Sequence, residues 1–303
     1  MRTFVFTCLL LLGMTTFAQD ANFHIYLCLG QSNMEGNAKV EEQDTVAVDS
    51  RFQVLAAVDC PNLGRTKGNW YKAVPPLARC YTGLTPGDYF GRAMVANLPS
   101  NVRVGIINVA VGGCRIELFD KDNYQSYVAT SPDWLKNMVK EYGGNPYARL
   151  VEMAKLAQKD GVIKGILLHQ GESNTNDKDW PLKVKGVYDN LLNDLGLSAA
   201  NVPLLAGEVV HADQNGVCAS MNTIIDSLPQ VIPTAHVISS AGCPAAFDNL
   251  HFTAEGYRML GARYAAKMLS ILGYGDWTSA QNMKLWYNRP AQDWLEALPL
   301  GNS

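Results

Sequence analysis

The chain has 303 residues, 48% hydrophobic and 17% charged, with a formal net charge of −3. That is ample apolar material for one large core, and the composition excludes a disordered chain. No basic cluster is present, which argues against nucleic acid or an anionic membrane surface as a partner.

Met1 and Arg2 precede an apolar run to Leu12 and a small-residue stretch ending at Ala18. This order reads as a signal peptide over 1–18, so a mature domain is expected over 19–274 and a secreted or periplasmic location follows. The apolar run is too short to span a bilayer. With Cys8 removed, Cys60 with Cys80 and Cys218 with Cys243 are the candidate pairs of an exported protein, while Cys28 and Cys114 read as buried thiols.

Phe23 to Leu29 is an apolar run that reads as a buried strand, and it breaks into Gly30-Gln31-Ser32-Asn33-Met34. The stretch from Asn37 to Thr85 has little periodicity and reads as a long, functional loop. A helix over Pro86 to Asn97 and a strand over Val102 to Val109 follow, the strand running into Gly112-Gly113-Cys114-Arg115. Asn145 and Pro146 open a helix in which Tyr147, Leu150, Val151, Ala154 and Ala157 recur at helical spacing. Val162 to Leu168 is a strand ending in His169-Gln170-Gly171-Glu172-Ser173.

Next come a helix over Pro181 to Leu195, a strand over Val202 to Val210 reaching His211, a short helix over Ala219 to Leu228 and a strand over Ala235 to Ser240. Thr253 caps a last helix with Tyr257, Leu260, Tyr264 and Met268 on its apolar face. The tail, 275–303, carries Trp277, Trp286 and Trp294 without a clear period.

Strands alternating with helices require crossovers, hence an α/β fold with three α/β/α layers around about five parallel strands. The carboxyl ends of such strands share one edge, where ligands bind. The loops at Ser32, Gly113, Gln170, His211 and His251 are therefore expected on one rim.

A serine after a strand most often caps a turn, but a nucleophilic serine needs a base, an acid orienting that base, and donors for an oxyanion. His251 follows Asp248 at a spacing that brings a carboxylate to the imidazole. His24 and His236 fall at strand starts, on the opposite edge, while His169 and His211 read as hydrogen-bonded structural residues. The Ser32 N–H, Gly113 and Gln170 are the candidate oxyanion donors. No His pair stands at metal-ligand spacing, so no metal or other cofactor is expected.

The runs Gly30-Gln31-Ser32-Asn33-Met34, Gly112-Gly113-Cys114-Arg115-Ile116, His169-Gln170-Gly171-Glu172-Ser173 and Asp248-Asn249-Leu250-His251-Phe252 resemble the blocks of carbohydrate esterase family 6, the sialate O-acetylesterase-like family of the SGNH hydrolases. The resemblance extends from Phe23 to about Leu272. It implies a flavodoxin-like fold and a cofactor-independent serine esterase that removes acetyl groups from carbohydrate, most often acetylated xylan, with a sialoglycan as the alternative. It also implies Ser32 as nucleophile, His251 as base, and Ser32, Gly113 and Gln170 as the oxyanion hole. Two candidates for the acid remain, Asp248 and Glu172, with Asp248 preferred for its spacing. The SGNH pattern in general has an asparagine where Gln170 stands, and Met34 occupies the last position of the Gly-x-Ser-x-Gly elbow, which disfavours an α/β-hydrolase. Arg65, Lys67, Trp70 and Tyr71 are expected to form a sugar-facing wall, with Arg115 a further substrate contact. A secreted, non-catalytic sugar-binding protein and a metal-dependent deacetylase are the competing classes.

Overall fold

The first strand, β1 (Asp20–Gly30), is apolar on both faces because it lies in the middle of the sheet. Phe23, Ile25, Leu27 and Leu29 enter one core while Tyr26 and Cys28 enter the other, the alternation that a strand imposes. The computed structural model describes residues 19–275. The leader expected over 1–18 and the tryptophans of the tail lie outside the described residues.

After β1 come β2 (Phe52–Leu55), β3 (Trp70–Lys72), β4 (Arg103–Ala110), β5 (Gly161–His169), β6 (Leu204–Gly207) and β7 (Ala235–Ile238), in the sheet order β3-β2-β4-β1-β5-β6-β7. Every neighbouring pair is parallel except β2 with β3. Helices Pro146–Ala157 and Trp180–Leu195 cover one face, and Pro86–Asn97 and Ala254–Ile271 cover the other. The three-layer α/β/α expectation therefore holds, with seven strands rather than five. Both additional strands come from the stretch read as loop, and at three and four residues they are too short for a period to show.

Smaller differences have similar causes. The strand expected over Val202 to Val210 pairs only over Leu204–Gly207, and the helix expected over Ala219 to Leu228 breaks into the short turns Ala219–Met221, Asn222–Ile225 and Leu228–Val231. Pro229 cannot continue a helix begun before it. Helices Tyr124–Thr130 and Asp133–Glu141 arise where the sequence reading assigned no element.

Cys60 and Cys80 are joined. Cys218 and Cys243 are free thiols, contrary to the suggested pairing. They pack against opposite cores, with the sheet between them. Among the described residues no helix is long and apolar enough to cross a membrane.

The ends of three strands are stitched together at Gly30. The Val111 N–H donates to the Gly30 carbonyl at 3.1 Å, and the Gln31 N–H donates to the His169 carbonyl at 3.0 Å. Gly30 has φ +149°, and a Cβ there would stand 2.0 Å from the His169 carbonyl oxygen. Only glycine meets both demands. Gly30→Ala is expected to cost about 1–3 kcal/mol or more through overpacking. Urea unfolding checks this: an unchanged midpoint would mean that the strand ends part freely.

Candidate active site

Immediately after Gly30 the chain turns into a single helical turn, Ser32–Glu35, with the Gln31 carbonyl accepting the Met34 and Glu35 N–H groups. Ser32 thus occupies the first helical position at the carboxyl edge of the central strand. Its N–H, one of the orphan donors of a helix start, has no acceptor among the described residues.

His251 arrives from a loop just ahead of the Ala254–Ile271 helix. His251 Nε2 lies 2.8 Å from Ser32 Oγ, and His251 Nδ1 lies 2.7 Å from Asp248 Oδ2. With Nδ1–H donated to the carboxylate, Nε2 carries the lone pair that faces the serine hydroxyl. The other carboxylate oxygen, Oδ1, accepts the N–H groups of Leu250 and His251, each at 3.0 Å. Burial opposes the charge on Asp248, but the hydrogen bonds from the His251 side chain and from these N–H groups outweigh it and hold the carboxyl below its ordinary range. Asp248 is therefore ionised at neutral and mildly acidic pH.

The loop owes its shape to a set of short-range bonds. The Ala246 N–H donates to the His251 carbonyl at 2.7 Å and the Asn249 N–H to the Ala246 carbonyl at 2.9 Å, with Asn249 in the left-handed region at φ 53°. Asn33, the residue after Ser32, ties this loop to the Ser32 turn. Its Nδ2 donates to the Leu250 carbonyl at 3.0 Å and to Glu172 Oε1 at 2.5 Å, while the Tyr257 hydroxyl donates to its Oδ1 at 2.6 Å.

Glu172 is thus buried against Asn33 rather than set on the imidazole, both of whose nitrogens are already occupied. His169 lies beneath, its Nε2–H donating to the Glu208 carbonyl at 2.9 Å; burial pushes its pKa down and keeps the ring neutral. Neither His169 nor His211, whose Nδ1 accepts the Asp213 N–H at 3.4 Å, bonds to Ser32.

Gly113 follows β4 with φ +70°, and its N–H also has no acceptor among the described residues. A Cβ on neighbouring Gly112 would lie 3.8 Å from the Ser32 Cβ, so this turn faces the serine. Gln170 departs from expectation. Its Nε2 donates to Gln31 Oε1 at 3.0 Å and Asn174 Oδ1 at 2.8 Å, its Oε1 accepts the Trp180 indole N–H, and the residue is 1% exposed. Both amide hydrogens are engaged inside the protein, so Gln170 is a buried brace for Gln31, with no donor left for a ligand.

The expected wall also dissolves. The Trp70 ring packs 4.8 Å from that of Phe23 and its indole N–H donates to Asp160, at the strand starts. Phe23 precedes Gly30 by seven residues of strand, about 23 Å at 3.3 Å per residue. Arg65 donates to the Val74 and Pro76 carbonyls, where it braces its own insertion, and Lys67 pairs with Glu152. Arg115 does adjoin the Gly113 turn, half-exposed and 3.6 Å from both Glu117 and Asp177.

Several neighbours of the serine went unread in the sequence. Glu35 Oε1 accepts the Gly112 N–H at 3.1 Å and pairs with Arg79, which also pairs with Glu141. Trp134, 54% exposed, lies over the Gly113 turn, its indole 2.6 Å from where a Gly113 Cβ would stand. Asn33 and Glu35, one and three residues after Ser32, were legible as polar residues just after an apolar run; Trp134 left no local signal.

Comparison with known proteins gives a family and a fold. Residues 22–270 match the family described as carbohydrate esterase, sialic acid-specific acetylesterase. A curated "probable carbohydrate esterase" of Arabidopsis thaliana is 25% identical over 264 residues, 81% of this chain and 90% of that protein. Among solved structures, a protein from Arabidopsis thaliana superposes with TM-score 0.63 at 22% identity, covering 83% of this chain and 99% of that one. NanS gives TM-score 0.60 at 14% identity over 85% of this chain and 99% of its own. A carbohydrate acetylesterase from Xanthomonas citri gives 0.57 at 18% over 82% of this chain and 56% of its own. At these identities the structures speak to the fold. The family match covers most of the chain, and on it the protein belongs to the sialic acid-specific acetylesterase family of carbohydrate esterases and is a carboxylic ester hydrolase.

Proposed function

We propose that the protein is an exported serine esterase that removes O-acetyl groups from a neutral polysaccharide, acetylated xylan in the first place, through an acetyl-serine intermediate. The observation that carries this reading is the hydrogen-bonded line from Ser32 Oγ through His251 to Asp248, at 2.8 and 2.7 Å.

In the first half-reaction Ser32 Oγ bonds to the acetyl carbonyl carbon as its proton passes to His251 Nε2. The carbonyl oxygen becomes an oxyanion facing the unengaged N–H groups of Ser32 and Gly113, and Asp248 holds the imidazolium that has formed. Collapse breaks the bond to the sugar oxygen, which takes the proton from His251 and leaves as an alcohol. A water molecule then gives its proton to His251 and attacks the acetyl-enzyme, releasing acetate and restoring the serine.

Export is supported by the signal-like sequence of 1–18 and by the Cys60–Cys80 bridge. A neutral sugar is favoured by the cations near the serine, since Arg115 stands between Glu117 and Asp177, and Arg79 between Glu35 and Glu141. Sialate is the second reading, favoured by the description of the family matched. Acetate release from acetylated xylan, measured beside release from 9-O-acetyl sialic acid, tests the choice: faster turnover of the sialate overturns the first reading.

Three results are expected of the catalytic assignment. Ser32→Ala should fold and lose about 10³-fold or more in kcat on an aryl acetate, and a variant as active as the wild type would remove the nucleophile assignment. Asp248→Asn should fall by about 10⁴-fold, because the imidazole loses its tautomer, whereas Glu172→Gln should fall far less; the reverse order would make Glu172 the acid. Activity should survive a chelator, and its loss together with recovery on adding metal would favour the deacetylase class.

Asn33→Ala should cost about 1–3 kcal/mol by leaving the Tyr257 hydroxyl and Glu172 unpaired, and it should lower kcat through a loosened His251 loop. Chemical unfolding and steady-state kinetics read the two effects separately.

A further inference from the structure

A polar cleft of about 680 Å³ opens between the segments Glu35–Val40 and Arg79–Gly83, with Glu141 at its end. It begins at the nucleophile's own turn, since Glu35 is the last residue of the single helical turn that Ser32 starts and receives the Gly112 N–H. One wall continues toward the Gly113 turn. The helix Asp133–Glu141 carries Trp134 at one end, over Gly113, and Glu141 at the other, in the cleft. Seven residues separate them, so they lie on nearly the same helix face, about 10 Å apart along the axis.

Two features suit this run to sugar. Tyr81 lines the cleft with 90% of its surface exposed and Trp134 is 54% exposed, two amphipathic rings left to solvent on one side of the serine. The charges of the cleft sum to zero, two carboxylates, Glu35 and Glu141, against Arg79 and Lys39, with Arg79 bonded to both acids. An anionic sugar finds no net attraction there, while hydroxyl groups find polar partners on every side.

We infer that this cleft is a second carbohydrate subsite, which holds the unacetylated neighbour of the acetylated residue in a neutral polymer, with Tyr81 as its ring platform and Trp134 at the junction with the catalytic centre. The inference rests on the esterase reading above and adds to it the place where the neighbouring unit of the chain is held and the ring that holds it. Binding of a neighbouring unit lowers KM for oligomers and leaves small acetates unaffected.

The test compares aryl acetate, acetylated xylose and acetylated xylo-oligosaccharides with the full-length protein and Tyr81→Ala, whose exposed ring is dispensable for folding. Wild type is expected to prefer oligomer over monomer, and Tyr81→Ala to lose about three- to tenfold in kcat/KM on the oligomer through KM, with aryl acetate turnover unchanged. Equal kcat/KM on monomer and oligomer, or an oligomer KM untouched by Tyr81→Ala, overturns the subsite and leaves the esterase reading standing. An equal fall on aryl acetate overturns the platform role of Tyr81. Wild type that cleaves aryl acetate but releases nothing from either xylose substrate overturns the neutral-sugar reading and the subsite with it.

Discussion

Everything at the carboxyl edge of this sheet depends on the close passage of Gly30 between two neighbouring strands. A backbone carbonyl from β5 occupies the space in which any side chain at position 30 would begin, and a backbone N–H following β4 closes on the opposite side. These are main-chain contacts, so they fix the serine turn relative to both adjacent loops without relying on flexible side chains. The Gly112-Gly113 turn and the Gln170 segment are brought to Ser32 by register alone, since Gly30 pairs with Ala110 on one side and His169 on the other. Among the described residues the Ser32 and Gly113 N–H groups have no acceptor at this junction, which leaves both open to an acceptor from outside the protein.

The side-chain layer beneath serves the same geometry by different means. Glu172, Tyr257 and the Leu250 carbonyl converge on the Asn33 amide, which links the first strand's exit to a loop 217 residues later. A lone carboxylate in such a place is costly. Its retention is explained by what it holds: an amide oriented toward the loop that presents the imidazole. Gln170 acts in parallel on Gln31, so the residue before Ser32 and the residue after it are each held by a residue that follows β5.

What could be read from the residues follows from where each signal resides. β1 was legible because a central strand is apolar on both faces, and the serine after it because Gly30 and Gln31 interrupt that run. The pairing of Asp248 with His251 was legible because both lie in one short loop, where spacing determines contact. β2 and β3 were not legible, being four and three residues long inside an insertion stabilised by a disulfide and by Arg65. Trp70 was misplaced because spacing does not fix which edge of the sheet an aromatic residue in that insertion reaches, and the antiparallel turn of β3 sends its ring toward Phe23. Gln170 had the chemistry of an oxyanion donor, but its engagement by Gln31, Asn174 and Trp180 is a tertiary fact with no trace in spacing.

The 219 positions that separate Ser32 from His251 have a consequence for how such an enzyme is made. During synthesis Ser32 emerges early, yet its strand finds flanking partners only after β4 and β5 have followed, and His251 arrives just ahead of the helix Ala254–Ile271. Parallel pairing across such separations is slow to form, because loop closure precedes any gain from contact. The meeting of Ser32 with His251 is therefore a late event in the life of the chain, reached only after the segment through the Ala254–Ile271 helix has been made.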